Sequence, residues 1–134
     1  MFKLHPILAN DTVELTRLEV CRVLLMRDAA YPWVILVPQR EGLRDLDDLR
    51  DLDRELVMAE VDRVSKALKA AYAPYKMNVA ALGNVVEQLH IHVIARFQDD
   101  PAWPKPVWGV QPPQDYDDDA LDEARTRILA ALKA

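Results

Sequence analysis

Apolar positions in this chain follow two different periods. Residues 18–28, LEVCRVLLMRD, and 33–38, WVILVP, are dense in Val, Ile and Leu and are separated by the turn-forming AAYP. This pattern predicts a hairpin whose second strand stops at Pro38. Between Asp51 and Tyr72 the period lengthens. Leu52, Leu56, Val57, Val61, Val64, Leu68 and Ala71 recur at steps of three and four, with charges between them. The spacing predicts one long amphipathic helix, opened by acidic residues suited to capping and ended before Pro74. MNVAAL (77–82) and QLHIHVIARF (88–97) return to the strand pattern, joined by the short GNVVE. Residues 98–116 carry five prolines and two tryptophans, which excludes regular helix or sheet and predicts an extended flap. From Asp117 to Ala134, Leu121, Ile128, Leu129 and Leu132 mark a last helix. Hairpins covered by one long helix make an α+β layer architecture.

At 134 residues the chain suits a single domain, able to bury roughly two-thirds of the surface its unfolded form exposes. The domain divides into a core of about 18–97, a Pro/Trp-rich flap at 98–116 and a C-terminal helix at 117–134. A net charge of −5 excludes a general binder of nucleic-acid backbones, which carries a basic surface. A small anion can still be held by backbone amides and neutral donors. The single Cys21 excludes an internal disulfide and, in an apolar run, reads as a buried thiol. The opening MFKLHPILAND has no signal-peptide core, and no apolar run approaches the roughly 20 residues a membrane helix needs. These features point to a cytoplasmic protein with no membrane partner. His5, before Pro6, reads as part of an extended N-terminal arm with no catalytic role.

Candidate chemistry concentrates in residues 87–97, EQLHIHVIARF. There Gln88, His90 and His92 alternate with Leu89, Ile91 and Val93, so a strand would set both imidazoles and the amide on one face. Three readings compete. The histidines could be polar residues on a solvated strand face. They could bind a metal, but Glu87, Asp99 and Asp100 fall on the other face or in a loop, which leaves the third ligand missing. Or they could act at phosphorus. A histidine attacking through Nε2 must keep its proton on Nδ1, and a backbone carbonyl two residues upstream could hold it there. The second imidazole would then hydrogen-bond the phosphoryl oxygens as charge develops. Isolated Gly42, Gly83 and Gly109 support neither a P-loop nor a dinucleotide fold.

The stretch from Asn78 to Arg96, NVAALGNVVEQLHIHVIAR, resembles the signature of the histidine triad (HIT) superfamily. That signature has an Asn, a Gly followed by a polar residue, and His-x-His-x-His with apolar x. With the upstream hairpin, VPQR turn and helix, the resemblance spans roughly residues 18–97. It implies a HIT-like fold: a roughly five-stranded antiparallel sheet, a long covering helix and a homodimeric assembly. It implies a nucleotide hydrolase or nucleotidyl transferase acting at the α-phosphate of a nucleoside phosphoramidate or dinucleoside polyphosphate. In that scheme His90 is the nucleophile, His92 contacts the scissile phosphate, and Asn84 and Asn78 line the substrate pocket. No metal or other cofactor is required, although a divalent cation can travel with a polyphosphate. Gln88 replaces the first histidine of the triad. Its carbonyl would still orient the nucleophile, and what changes is the side chain. The alternative is a nucleotide-binding module without turnover, with a metal-dependent enzyme a distant third. Arg40 and Arg96 read as solvated surface arginines. Trp103 and Trp108 could flank the pocket and stack on a base, or plug the sheet edge.

Overall fold

The computed structural model describes residues 1–134. Five strands form one antiparallel sheet in the order β1-β2-β3-β5-β4, with β1 Thr12–Arg17, β2 Cys21–Met26, β3 Trp33–Pro38, β4 Lys76–Ala80 and β5 Ile91–Arg96. The helices are α1 Pro6–Asp11, α2 Asp51–Tyr72 and α3 Asp118–Lys133, with a short 3₁₀ turn at Leu46–Asp48. The expected α+β layers, five strands and long covering helix are all present.

Helix α2 begins and ends at the residues its apolar period predicted. Val57, Val61, Val64 and Leu68 are buried, each worth about 1.5–3 kcal/mol relative to exposure. Leu52 is not part of this stripe and lies 67% exposed. The expected acidic cap is also displaced. Arg50 holds the N-cap position without a side-chain bond, and Asp51 and Asp53 sit in the first turn, where they complement the helix dipole. The helix stops where Ala73 turns left-handed (φ 48°), immediately before Pro74. Buried Glu60 ties α2 to the sheet by accepting the N–H groups of Val20 and Cys21 at 2.9 and 2.8 Å. Cys21 is buried as expected, and its thiol pKa is pushed up by burial and by the Glu60 carboxylate.

The sheet is covered on both faces. Cys21, Val23, Leu25, Val34, Leu36, Ile91 and Val93 pack with α2 and α3 in one cluster. Leu24, Trp33, Ile35, Val37 and Ile94 face a second cluster closed by Leu8, Tyr31, Val86, Ala102 and Val107. Two-sided burial explains why β3 reads as an unbroken apolar run. It also removes the solvated face on which the histidines could have been surface residues.

Two segments differ from expectation. The N-terminal arm is extended only as far as His5: its Nδ1 accepts the Ile7 N–H at 3.1 Å and caps α1, and Thr12 then starts the edge strand β1 directly. Nor is Arg96 on the surface. Its side chain is 1% exposed and forms a bidentate pair with Asp100 at 2.8 and 3.1 Å. Arg96 also donates to Asn78 Oδ1 and the Lys105 carbonyl, and lies over the rings of Tyr31 and Trp103. Burial raises the Asp100 pKa, but hydrogen bonds from Arg96, Phe97 N–H and Trp103 N–H outweigh it and hold the pKa below the usual carboxylate range. This cluster fastens the Pro-rich segment to the end of β5. Asp100→Ala leaves a buried guanidinium unpaired, so urea denaturation should show a loss of about 3–5 kcal/mol.

Candidate active site

Strand pairing of β5 begins only at Ile91, opposite Leu36. Residues 88–90 therefore leave the ladder, and Leu89 N–H donates to the Leu43 carbonyl at 3.0 Å instead. The freed Gln88 carbonyl lies 2.7 Å from His90 Nδ1. A carbonyl can only accept, so Nδ1 carries the proton and Nε2 keeps its lone pair. This is the orientation a histidine needs to act as a nucleophile. Burial pushes the His90 pKa below its ordinary 6.5, opposed by the Gln88 hydrogen bond, while the nearby His5 adds to the lowering.

His92 is held in the opposite tautomer. Trp33 Nε1–H donates to His92 Nδ1 at 3.0 Å, and His92 Nε2 lies 3.1 Å from the Leu82 carbonyl. Trp33 can only donate and Leu82 O can only accept, which fixes the proton on Nε2. Burial, then the charge of a protonated His90, push the His92 pKa down to about 4. The two rings meet edge to face, with centroids 4.9 Å apart at 71°. Both His92 nitrogens are engaged within the chain, so in this geometry the ring offers no free N–H to a phosphate.

A pocket of about 520 Å³ opens beside these rings. Ile7, Leu8, Trp33 and Ile35 supply apolar wall, and Trp108 sets its ring edge to face on His92 with centroids 5.0 Å apart. No Lys or Arg is among the lining residues, so an anion here would meet neutral donors. Gly83 packs directly on the His90 ring. A Cβ on it would lie 2.5 Å from the Val86 carbonyl and 3.1 Å from His90 Cε1. Asn84 is exposed and is among the residues that line the pocket.

Other predicted positions fall elsewhere. Asn78 does not line the pocket. It pairs with Ile94 on β5, beyond His92, and its amide oxygen is occupied by Arg96. Gln88 precedes the regular strand, which begins at Ile91, and its side chain does not line the pocket. It turns to the N-terminal arm instead. Trp103 packs on Tyr75 and Arg96, away from the pocket. Arg40 is exposed and paired with Asp53. No group of three or more His, Cys, Asp or Glu side chains is arranged to hold a metal ion, and the H-x-H pair has no third ligand beside it.

Sequence reasoning missed Trp33, Asp11 and Asp28. Trp33 looked like strand filler, and only the cross-strand register brings its indole N–H to His92. Asp28, at the end of β2, lines the pocket and accepts the N–H groups of Ala30 and Gln114 at 3.0 and 3.2 Å. This bond draws the C-terminal segment over the site. Its sequence signal was an acid in the hairpin turn, which equally suits an ordinary turn residue.

A histidine with a depressed pKa stabilises the fold fully above the unfolded value, and that stability drains as pH falls towards the folded value. For His92, the window runs from 6.5 down to about 4 and corresponds to about 3 kcal/mol. NMR titration should show the His92 ring protonating only near pH 4. Unfolding measurements should show His92→Asn losing less stability than wild type across that window.

The fold matches that of known proteins. A family model described as HIT domain matches residues 9–99. A histidine triad protein from Marinobacter aquaeolei VT8 superposes with a TM-score of 0.96 at 44% identity, covering 99% of this chain and 97% of that one. One from Bradyrhizobium japonicum does so with a TM-score of 0.96 at 40% identity, covering 98% of both. Over 80 residues the chain is 31% identical to a Mycobacterium tuberculosis protein named AP-4-A phosphorylase. That stretch spans 52% of this chain and only 40% of the relative's length. The match over residues 9–99 contains the long helix, the Gly83-Asn84 pair and the Gln88-x-His90-x-His92 row, and on it this chain belongs to the HIT domain family.

Proposed function

We propose that this protein is a nucleotide hydrolase or nucleotidyl transferase acting at the α-phosphate of a nucleoside phosphoramidate or dinucleoside polyphosphate. The observation that carries this reading is His90, held by the Gln88 carbonyl with its Nε2 lone pair free, beside a pocket of about 520 Å³. The name of the mycobacterial relative adds support for nucleotide chemistry.

In the first step His90 Nε2 attacks the α-phosphorus and forms a P–N bond. The bond to the amine or phosphate leaving group breaks, and that group departs with the electron pair, the amine taking up a proton from solvent as it leaves. The imidazolium so formed keeps its Nδ1 proton on the Gln88 carbonyl, which stabilises the developing charge. In the second step water, or a second phosphate nucleophile in the transferase case, attacks the same phosphorus. The P–N bond breaks, and the free imidazole returns. Asn84, at the pocket mouth, donates its amide to the phosphoryl oxygens. His92 sits edge-on to the nucleophile, and its Nε2–H reaches phosphate only by leaving the Leu82 carbonyl. Apolar wall and Trp108 face the base, and the Asp11 and Asp28 carboxylates are acceptors for sugar hydroxyls.

The scheme needs no cofactor, and a divalent cation travels with polyphosphate substrates. A cytoplasmic homodimer completes the reading. Exposed Val79 on edge strand β4 supports an association surface there. No helix of the structure is long and apolar enough to cross a membrane.

The test is turnover of adenosine phosphoramidate and of diadenosine polyphosphates. His90→Ala should lower kcat by at least about a thousandfold. Quenched wild-type reactions should show a nucleotidyl adduct on His90 by mass spectrometry. Nucleotide binding by calorimetry without turnover would instead identify a binding module, and an unimpaired variant would overturn the scheme. Gly83→Ala pushes the His90 ring from its carbonyl and should cost about a hundredfold in kcat while the circular dichroism spectrum is retained.

A further inference from the structure

The Gln88 side chain makes two hydrogen bonds, both to one remote segment. Its Oε1 accepts the His5 N–H at 2.9 Å, and its Nε2 donates to the Lys3 carbonyl at 2.8 Å. These partners lie 83 and 85 residues away in the chain. From His5 the arm runs straight into α1, whose Ile7, Leu8 and Asp11 line the nucleotide pocket. Further anchors are the Met1 ammonium on Glu41, Phe2 under the Arg22 guanidinium, Leu4 against the second cluster and Leu8 in the core. The same residue's main-chain carbonyl orients His90.

We propose that Gln88 is a positioning residue that pins the N-terminal arm beside the nucleophile, making residues 3–11 a wall of the nucleotide pocket that sets affinity. This rests on reading the pocket as a nucleotide site. A glutamine amide suits the task because it presents one donor and one acceptor at every pH. An imidazole in its place would lose the acceptor whenever it took up a proton. The replaced triad histidine thus becomes a clamp joining α1 to the catalytic edge. His5, which the sequence placed far from the site, is brought to the nucleophile's neighbour by this contact.

The test compares wild type with Gln88→Ala and Gln88→Glu in the full chain. Amide hydrogen exchange over residues 3–8 reads the clamp without nucleotide. Calorimetric Kd for adenosine monophosphate, with KM and kcat for adenosine phosphoramidate, reads the wall. Losing two hydrogen bonds should speed exchange of the His5 amide about tenfold in Gln88→Ala and raise Kd and KM by about tenfold, more than kcat falls. Gln88→Glu keeps an acceptor for His5 but loses the donor to Lys3, so it should fall between the two. Unchanged exchange in Gln88→Ala overturns the clamp. A loosened arm with unchanged Kd, or a loss confined to kcat, overturns its role in affinity. Wild-type protein that binds no adenosine monophosphate overturns the reading of the pocket and the affinity effect with it, while exchange still decides the clamp.

Discussion

The site depends on one carbonyl left out of the sheet. Had the ladder continued through residue 88, the carbonyl there would have been available to a neighbouring strand. Pairing stops at Ile91, and the Gln88 oxygen is instead 2.7 Å from His90 Nδ1. That single bond sets the tautomer, and the tautomer leaves the lone pair on Nε2. Gly83 packs against the same ring, with no room for a Cβ. A side chain with few rotamers is thereby held without any charged partner.

Burial of the sheet on both faces supplies the second condition. A histidine on a wet strand would titrate near its ordinary value. Here His90 and His92 are almost fully buried, and both are biased towards the neutral form. The cover over this face comes from segments with little regular structure: α1, the 82–86 turn and the Pro-rich stretch. Such segments hold position only through specific bonds. Arg96 with Asp100, Asp28 with Gln114 N–H, and Gln88 with His5 are those bonds. Each gives polar groups of irregular chain a hydrogen-bond partner, which lowers the cost of laying that chain against an apolar sheet.

The histidine strand, the long helix and the C-terminal helix were legible because each repeats a short period over many residues. Helix α2 matched to the residue because a 22-residue helix repeats its apolar period many times. The N-terminal elements were not legible. Helix α1 has six residues, less than two turns, and TVELTR in β1 is too polar and short to stand out. Arg96 was misjudged for a related reason. An arginine at the end of a strand looks solvated until Asp100 folds back on it, and that needs the turn at residues 97–100 to close. Asn78 was misplaced because matching residue types along the chain ignores register. Its place opposite Ile94 carries it past the histidines and onto Arg96.

By itself the sequence determined the types of the longer elements, the family and which two imidazoles stand together. Those follow from periods of two and of three to four, and from residue identities at neighbouring positions. Tertiary structure alone decided what each polar atom does. The tautomers of His90 and His92 depend on Gln88 O, Trp33 Nε1 and Leu82 O, which the fold gathers at one place. The same holds for Gln88, whose amide points to residues more than eighty positions away. Hydrogen bonds are directional and short-ranged, so their partners are set by where distant segments come to rest.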